Sequence, residues 1–241
     1  PVSRPGRNLA YHAISGGFLL GEIIEELTGK SPRQFLQDEI CTPLGLRQFN
    51  YGVPASEVPK VAVHSYTGPP PALPYAWLLE KSLGMDIRKA VALSNDPRFL
   101  TGIIPSGNVI STPRETTLFF ELLLRQGTLN GNRIFQPRTI QRAIAEQSYM
   151  EMDSTLLLPV RYGMGFMRGG DYASFYGFKT RRAFGHLGFT NCLTYADPER
   201  DISVALLNSG KPFITTKLLR WLNVMRVIAQ RIPSIKPTSN R

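Results

Sequence analysis

The sequence has 241 residues, 42% of them hydrophobic, and a formal charge of +10 from 28 lysines and arginines against 18 aspartates and glutamates. That apolar share supports a sizeable core and excludes a largely disordered chain. The positive surplus is scattered apart from one short run, Lys179 to Arg182, and no aromatic RNA-binding signature or zinc-finger spacing accompanies it, so nucleic acid is not an expected partner.

No apolar run reaches the length of a membrane span, and none is expected. Three histidines and two distant cysteines, Cys41 and Cys192, make no metal-ligand spacing, so neither metal nor cofactor is expected. The cysteines read as buried apolar residues, with a disulfide between them the lesser alternative. The compartment stays open, with the cytoplasm favoured.

Along the chain, Ser15 reads as an N-cap, followed by Phe18, Leu19, Leu20, Ile23, Ile24 and Leu27 at helical spacing, with Gly29 as the stop. Ser31, Pro32 and Gln34 open a second helix with a capping box. Phe35, Leu36 and Ile40 form its apolar face, and Pro43 is its expected end. The stretch 51–77 is rich in proline and has no period. Its aromatic and apolar content favours an ordered wall or lid over a floppy linker. A helix is predicted over 79–93.

Thr112, Pro113 and Glu115 repeat the capping device before Leu118, Phe119, Leu122 and Leu123, and Gly127 ends that helix. Asn130 and Gly131 predict a tight turn, and Pro137 starts another helix. The last third changes period. "CLTYA" and "ISVALL" flank "DPERD", an antiparallel hairpin. A helix over 216–231, carrying Leu218, Leu219, Leu222, Val224, Met225 and Ile228, closes the chain and is expected to pack on the sheet. The predicted fold is α+β: 1–150 mainly helical with the Pro-rich loop 51–77, and 151–241 an antiparallel sheet with a C-terminal helix, all within one domain spanning 1–241.

Two stretches carry more than a fold. "YHAISGGFLLGEIIEELTGKSPRQFLQDEICTPLGL" and "FGHLGFTNCLTYADPERDISVALLNS", with "PSGNVISTPRE", "LLRQGTLNGNRIFQPRTI" and "YGMGF" between them, resemble the serine β-lactamase and penicillin-binding-protein superfamily. The resemblance is closest to its family VIII carboxylesterases and class C β-lactamase-related hydrolases, and it covers nearly the whole chain in order. It implies a β-lactamase/transpeptidase-like fold and acyl transfer, in which the serine of an S-x-x-K motif attacks a carbonyl.

On that resemblance Tyr11 matches the tyrosine of the second motif, a catalytic phenol. A phenol titrates near pH ~10 and needs neighbouring cations to exchange protons at neutral pH. "HLG", from His186 to Gly188, matches the third motif and implies substrate binding. Gly188 lets substrate lie along the strand, and the Phe189 N–H is an implied oxyanion donor. Gly16 and Gly17 allow close backbone packing beside Tyr11. The plainer readings are a packed aromatic at a helix start for Tyr11 and an ordinary strand residue for His186. His12 and His64 read as structural, and Asp197 and Glu199 as solvated turn residues.

Three departures shape the expectation. No serine here begins an S-x-x-K; the nearest, "STPR" at Ser111, carries Arg114 in place of lysine. The family places its nucleophile upstream of the tyrosine motif, and only ten residues precede Tyr11. The chain is therefore expected to be the C-terminal part of a longer enzyme, catalytically incomplete as it stands. Ala13 replaces an asparagine common in β-lactamases, and His186 replaces a lysine. Both changes weaken recognition of a β-lactam carboxylate, so small esters are favoured over lactams. The alternatives are a non-catalytic binding protein that keeps the old pocket, and a β-lactamase or peptidase of the same superfamily. Substrates of either kind are small esters or amides.

Overall fold

The structure is a computed structural model that describes residues 8–12, 14–69, 76–77, 80, 84–156, 158–172, 174–188, 192–212 and 217–235. The chain divides into two compact units, one of Tyr11–Glu115 with Asn208–Phe213 and the other of Pro1–Ala10, Thr116–Leu207 and Ile214–Arg241.

The first of these is helical with short strand pairs. Its opening helix, Ser15–Thr28, ends at Gly29, whose φ of 68° only glycine adopts cheaply and whose N–H caps Glu25 O. Ser15 is the first helical residue, not the N-cap. The cap is Ile14, which has no side-chain bond to the helix. The predicted core face is also not buried in this unit: Phe18, Leu19, Leu20, Ile23 and Leu27 are exposed, and Gly21 alone in the helix is buried. Periodicity reports that a face is apolar, not that a partner covers it.

Ser31 caps the helix Pro32–Leu36, accepting from Gln34 N. The reciprocal half of the predicted box is absent, because the Gln34 amide turns to Asp38. Pro43 does not end this helical stretch. A π-helical turn, Gln37–Cys41, leads into a last turn, Thr42–Leu44, and Gly45 at φ 69° ends it. A widened turn accommodates the N–H that proline lacks.

The Pro-rich stretch is irregular and ordered over 51–69. It holds a 3₁₀ turn, Ala55–Lys60, and two short strands, Asn50–Tyr51 and Ser65–Tyr66. Asn50–Tyr51 pairs antiparallel with Val109–Ile110, and Ser65–Tyr66 pairs in parallel with Gly210–Lys211. The helix predicted over 79–93 is broken: Glu80 is helical, Gly84 at φ 72° interrupts, and an Asp86 N-cap opens Ile87–Leu93. Residues 79 and 81–83 of that prediction lie outside the described ones.

The second unit is layered. Four strands run in the order Ile202–Leu206, Cys192–Asp197, Phe184–Gly188 and Met167–Arg168, all antiparallel. Alternation divides their side chains between two faces. Phe184 and Ala196 pack against Phe120, Leu123 and Ile140, from the helices Pro113–Leu124 and Pro137–Ile144. Leu193, Tyr195 and Met167 pack against Met225, Trp221 and Ile228 of the final helix, Lys217–Arg231. Those three helix residues follow at i, i+4 and i+7, while Leu222 and Val224 face outward.

The predicted turns hold. Thr128–Leu129 and Asn132–Arg133 form a hairpin through Asn130 and Gly131, both at positive φ. Thr112 caps the helix Pro113–Leu124 as expected, but Glu115 bonds Arg47 N and Gln48 N instead of closing the box. Gly127, at φ 87°, stops that helix.

One turn reading is overturned. Asp197 is not solvated but fully buried, ion-paired to Arg200 at 2.7 Å with its other oxygen accepting from Glu199 N. Neither cysteine forms a disulfide, and Cys192 is only half-buried, not buried as expected. Cys41 is buried, which pushes its thiol up to about 11, with the Glu115 charge adding to the shift. No described helix is long and apolar enough to cross a membrane, and no group of three or more metal-ligating side chains occurs among the described residues.

Candidate active site

Tyr11 is half-buried on the extended approach to the helix Ser15–Thr28. The glycines behind it have different roles. Gly16 has room for a side chain, the nearest atom to an added Cβ being His12 Cβ at 3.9 Å. Gly17 has none: an added Cβ would lie 2.7 Å from the Ser106 backbone nitrogen and closer still to its hydroxyl. A loop therefore presses on the first turn of the helix, and Gly17 is the residue that admits it. His12 is exposed. Ala13 lies outside the described residues.

His186 sits mid-strand in Phe184–Gly188, opposite Thr194 and on the same sheet face as Phe184. Its Nδ1 lies 2.9 Å from the Leu187 carbonyl. A carbonyl only accepts, so Nδ1 carries the proton, and in the neutral ring Nε2 presents the lone pair. Burial pushes the His186 pKa down, and the bond to Leu187 opposes that shift only in part. The ring is therefore neutral at pH 7, as the replacement of lysine by histidine leads one to expect.

The ladder from Met167–Arg168 covers Phe184 and Gly185 only, so His186, Leu187 and Gly188 extend beyond it. Gly188 is exposed, and an added Cβ would make ordinary contacts with Cys192 at 3.8 to 3.9 Å. The protein's own packing does not demand glycine there, whereas it does at Gly185, where a Cβ would come within 2.5 Å of Tyr195 Cα. The sequence reading missed Gly185. Its signal was glycine inside a strand, which marks close backbone approach. Phe189, the expected oxyanion donor, lies outside the described residues.

His64 takes the structural role expected of it. Its backbone N–H and carbonyl bond the Asn95 side chain, and Nδ1 lies 2.9 Å from Ser94 Oγ. The Ser94 hydroxyl donates to Val91 O, so the imidazole Nδ1–H is the donor between them. Burial lowers the His64 pKa, and Lys211 lowers it further.

A helix-flanked antiparallel sheet, with a tyrosine motif before a helix and a histidine-glycine strand late in the chain, has the organisation of a β-lactamase/transpeptidase-like protein. The family model for β-lactamase matches residues 1–227, and the chain belongs to the β-lactamase family. It is similar to the esterase/beta-lactamase LipL of Mycobacterium tuberculosis, 23% identical over 94% of this chain and 55% of that protein. Among solved structures it resembles a penicillin-binding-protein homologue from Caulobacter crescentus, 28% identical with a TM-score of 0.71, over 92% of this chain and 59% of that one. A family VIII carboxylesterase gives 22% identity and a TM-score of 0.71, over 93% and 60%. EstA from Arthrobacter nitroguajacolicus gives 22% and 0.72, over 97% and 63%. The chain thus spans somewhat more than half the length of these relatives.

Proposed function

We propose that this chain carries the tyrosine and histidine-glycine elements of a carboxylesterase that acts on small esters through an acyl-enzyme. Tyr11 passes a proton between the acylating serine and the leaving alcohol. The His186–Gly188 segment lines the acyl side, with the Phe189 N–H as oxyanion donor. The acylating serine and its lysine are not among these residues, so the activity belongs to a protein that supplies an S-x-x-K motif alongside them.

The observation that carries this reading is the neutral imidazole at His186. A fixed cation there favours a substrate carboxylate, whereas a neutral ring desolvated by burial favours uncharged acyl groups. Esterase names among the similar proteins support the same choice. The test compares p-nitrophenyl butyrate with a chromogenic β-lactam in a protein that joins this chain to its S-x-x-K segment. Efficient lactam turnover with poor ester turnover defeats the ester reading.

The missing S-x-x-K favours one second reading, a binding protein that keeps the pocket without the chemistry. Under it, no serine of the joined protein reacts with a fluorophosphonate probe.

A further inference from the structure

From the loop 104–108 we infer that Ser106 and Asn108 are positioning residues for Tyr11, acting through the first turn of the helix Ser15–Thr28. The inference rests on the catalytic reading of Tyr11 for its functional meaning, but its geometry stands by itself.

The helix entry has no cap of its own. Ile14 supplies no side-chain bond, and its carbonyl is the fixed point of the turn, accepting from Gly17 N at 3.1 Å and Phe18 N at 3.4 Å. A third donor comes from far along the sequence, the Ser106 hydroxyl at 3.2 Å. Only two residues separate Ile14 from Tyr11, so whatever holds that carbonyl limits where the phenol can stand. The contact is also steric. The Ser106 backbone lies against Gly17, where no Cβ fits, and Pro105 packs near Gly21, where an added Cβ would meet its ring at 3.2 Å.

The loop that does this is rigid for a visible reason. Asn108 is 2% exposed and spends its whole amide on shaping it. Its Oδ1 accepts from Ile104 N at 2.9 Å, closing the turn that carries Ser106. Its amide nitrogen donates to Phe99 O and Gly102 O, both at 2.8 Å. Its own carbonyl accepts from Gly52 N at 2.9 Å, beside the Asn50–Tyr51 strand. A donor–acceptor side chain is required here, because one end meets an N–H and the other meets two carbonyls. Asparagine at 108 thus fixes the turn, the turn presents Ser106, and Ser106 with Gly17 sets the entry of the helix that follows Tyr11. The two glycines after the tyrosine motif are therefore not equivalent: Gly17 receives the loop, and Gly16 does not.

The experiment uses the 241-residue chain with tyrosine labelled at the ring ζ carbon, the Tyr11 signal being assigned by its loss in Tyr11→Phe. Ser106→Ala and Gly17→Ala are each expected to move or broaden the Tyr11 signal and to shift its phenol titration midpoint by about 0.5 pH unit, roughly threefold in the proton equilibrium. The other eight tyrosines should stay in place, and Lys60→Ala should move none. A Tyr11 signal and titration unchanged in Ser106→Ala overturns the inference. If Gly17→Ala disturbs every tyrosine together, its fold is lost and Ser106→Ala, which removes one exposed hydroxyl, decides alone. Failure of the catalytic reading shows differently, as full ester turnover by Tyr11→Phe in the joined protein.

Discussion

The buried pair Asp197–Arg200 offers a quantitative test of how the hairpin turn is held. Asp197 is fully buried and Arg200 is 6% exposed. The guanidinium donates to Asp197 Oδ2 at 2.7 Å, to Lys179 O at 2.9 Å and, through Nε, to Ile232 O at 3.0 Å. It therefore ties the turn to the loop after Phe178 and to the end of the closing helix. Removing one partner leaves the other charge buried, at a cost of about 3–5 kcal/mol. Arg200→Met additionally strips donors from two backbone carbonyls, each worth about 1 kcal/mol. Asp197→Leu with Arg200→Met removes both charges, so the double variant should cost clearly less than the sum of the singles, with a coupling energy of about 2 kcal/mol or more. Urea unfolding followed by circular dichroism, as a double-mutant cycle, measures it. Single variants that lose under about 1 kcal/mol, or strictly additive losses, would refute the argument that burial makes this pair consequential.

In a joined protein that turns over esters, Tyr11→Phe is expected to reduce p-nitrophenyl ester turnover by about 10²–10⁴-fold with unfolding midpoints little changed; near-full activity would return Tyr11 to a packing role. Burial first, and Lys211 second, hold the His64 pKa below its usual value, so the folded protein binds fewer protons than the unfolded chain. That stability is fully present above pH ~6.5 and is lost as pH falls toward the folded-state pKa. His64→Gln should flatten this part of the stability–pH curve, leaving the part from His186, which has the same sign; an unaltered curve sinks the assignment. Gly185→Ala is expected to destabilise strongly, since its methyl would enter the Tyr195 backbone, and a loss below about 1 kcal/mol in urea would contradict the close approach. The chain alone should self-associate through Phe18, Leu19, Leu20, Ile23 and Leu27, and Leu19→Lys with Leu27→Lys should reduce this in sedimentation; a monomeric unmutated chain at ~100 µM would count against it.

Much of this structure can be read from residue pattern. Turn chemistry is local, so Asn130–Gly131, the hairpin after Asp197, and the stops at Gly29 and Gly127 follow from the residues themselves. The closing helix is legible from its apolar content, but of the expected face Met225 and Ile228 meet the sheet, joined by Trp221, while Leu222 and Val224 are exposed. Where pattern fails, the deciding partner is distant. Ser15 resembles a cap, but the contact that fixes the helix entry comes from Ser106. Glu115 suits a capping box, yet Arg47 and Gln48 claim it. Asp197 stands in a turn composition that predicts solvent, and only the arginine three residues on, reaching two further segments, explains its burial. Motif order placed Tyr11 ahead of its helix and His186 on its strand. The neutral state of His186 follows from burial, which outweighs the opposing bond to the Leu187 carbonyl, and neither is written in "HLG".

The parallel pairing of Ser65–Tyr66 with Gly210–Lys211 also bears on how the chain comes off the ribosome. Residues 208–213 complete a unit otherwise built from 11–115, while residues 1–10 belong with 116–207 and 214–241. Neither unit is contiguous, so neither finishes before the stretch from residue 208 onward has been synthesised. The strand edge at Ser65–Tyr66 waits through that interval, and long-range closure of this kind slows folding. A protease nick near residue 115 should therefore release no independently folded piece, and gene fragments cut there should express poorly while a circular permutant that joins 208–213 to 11–115 fares better.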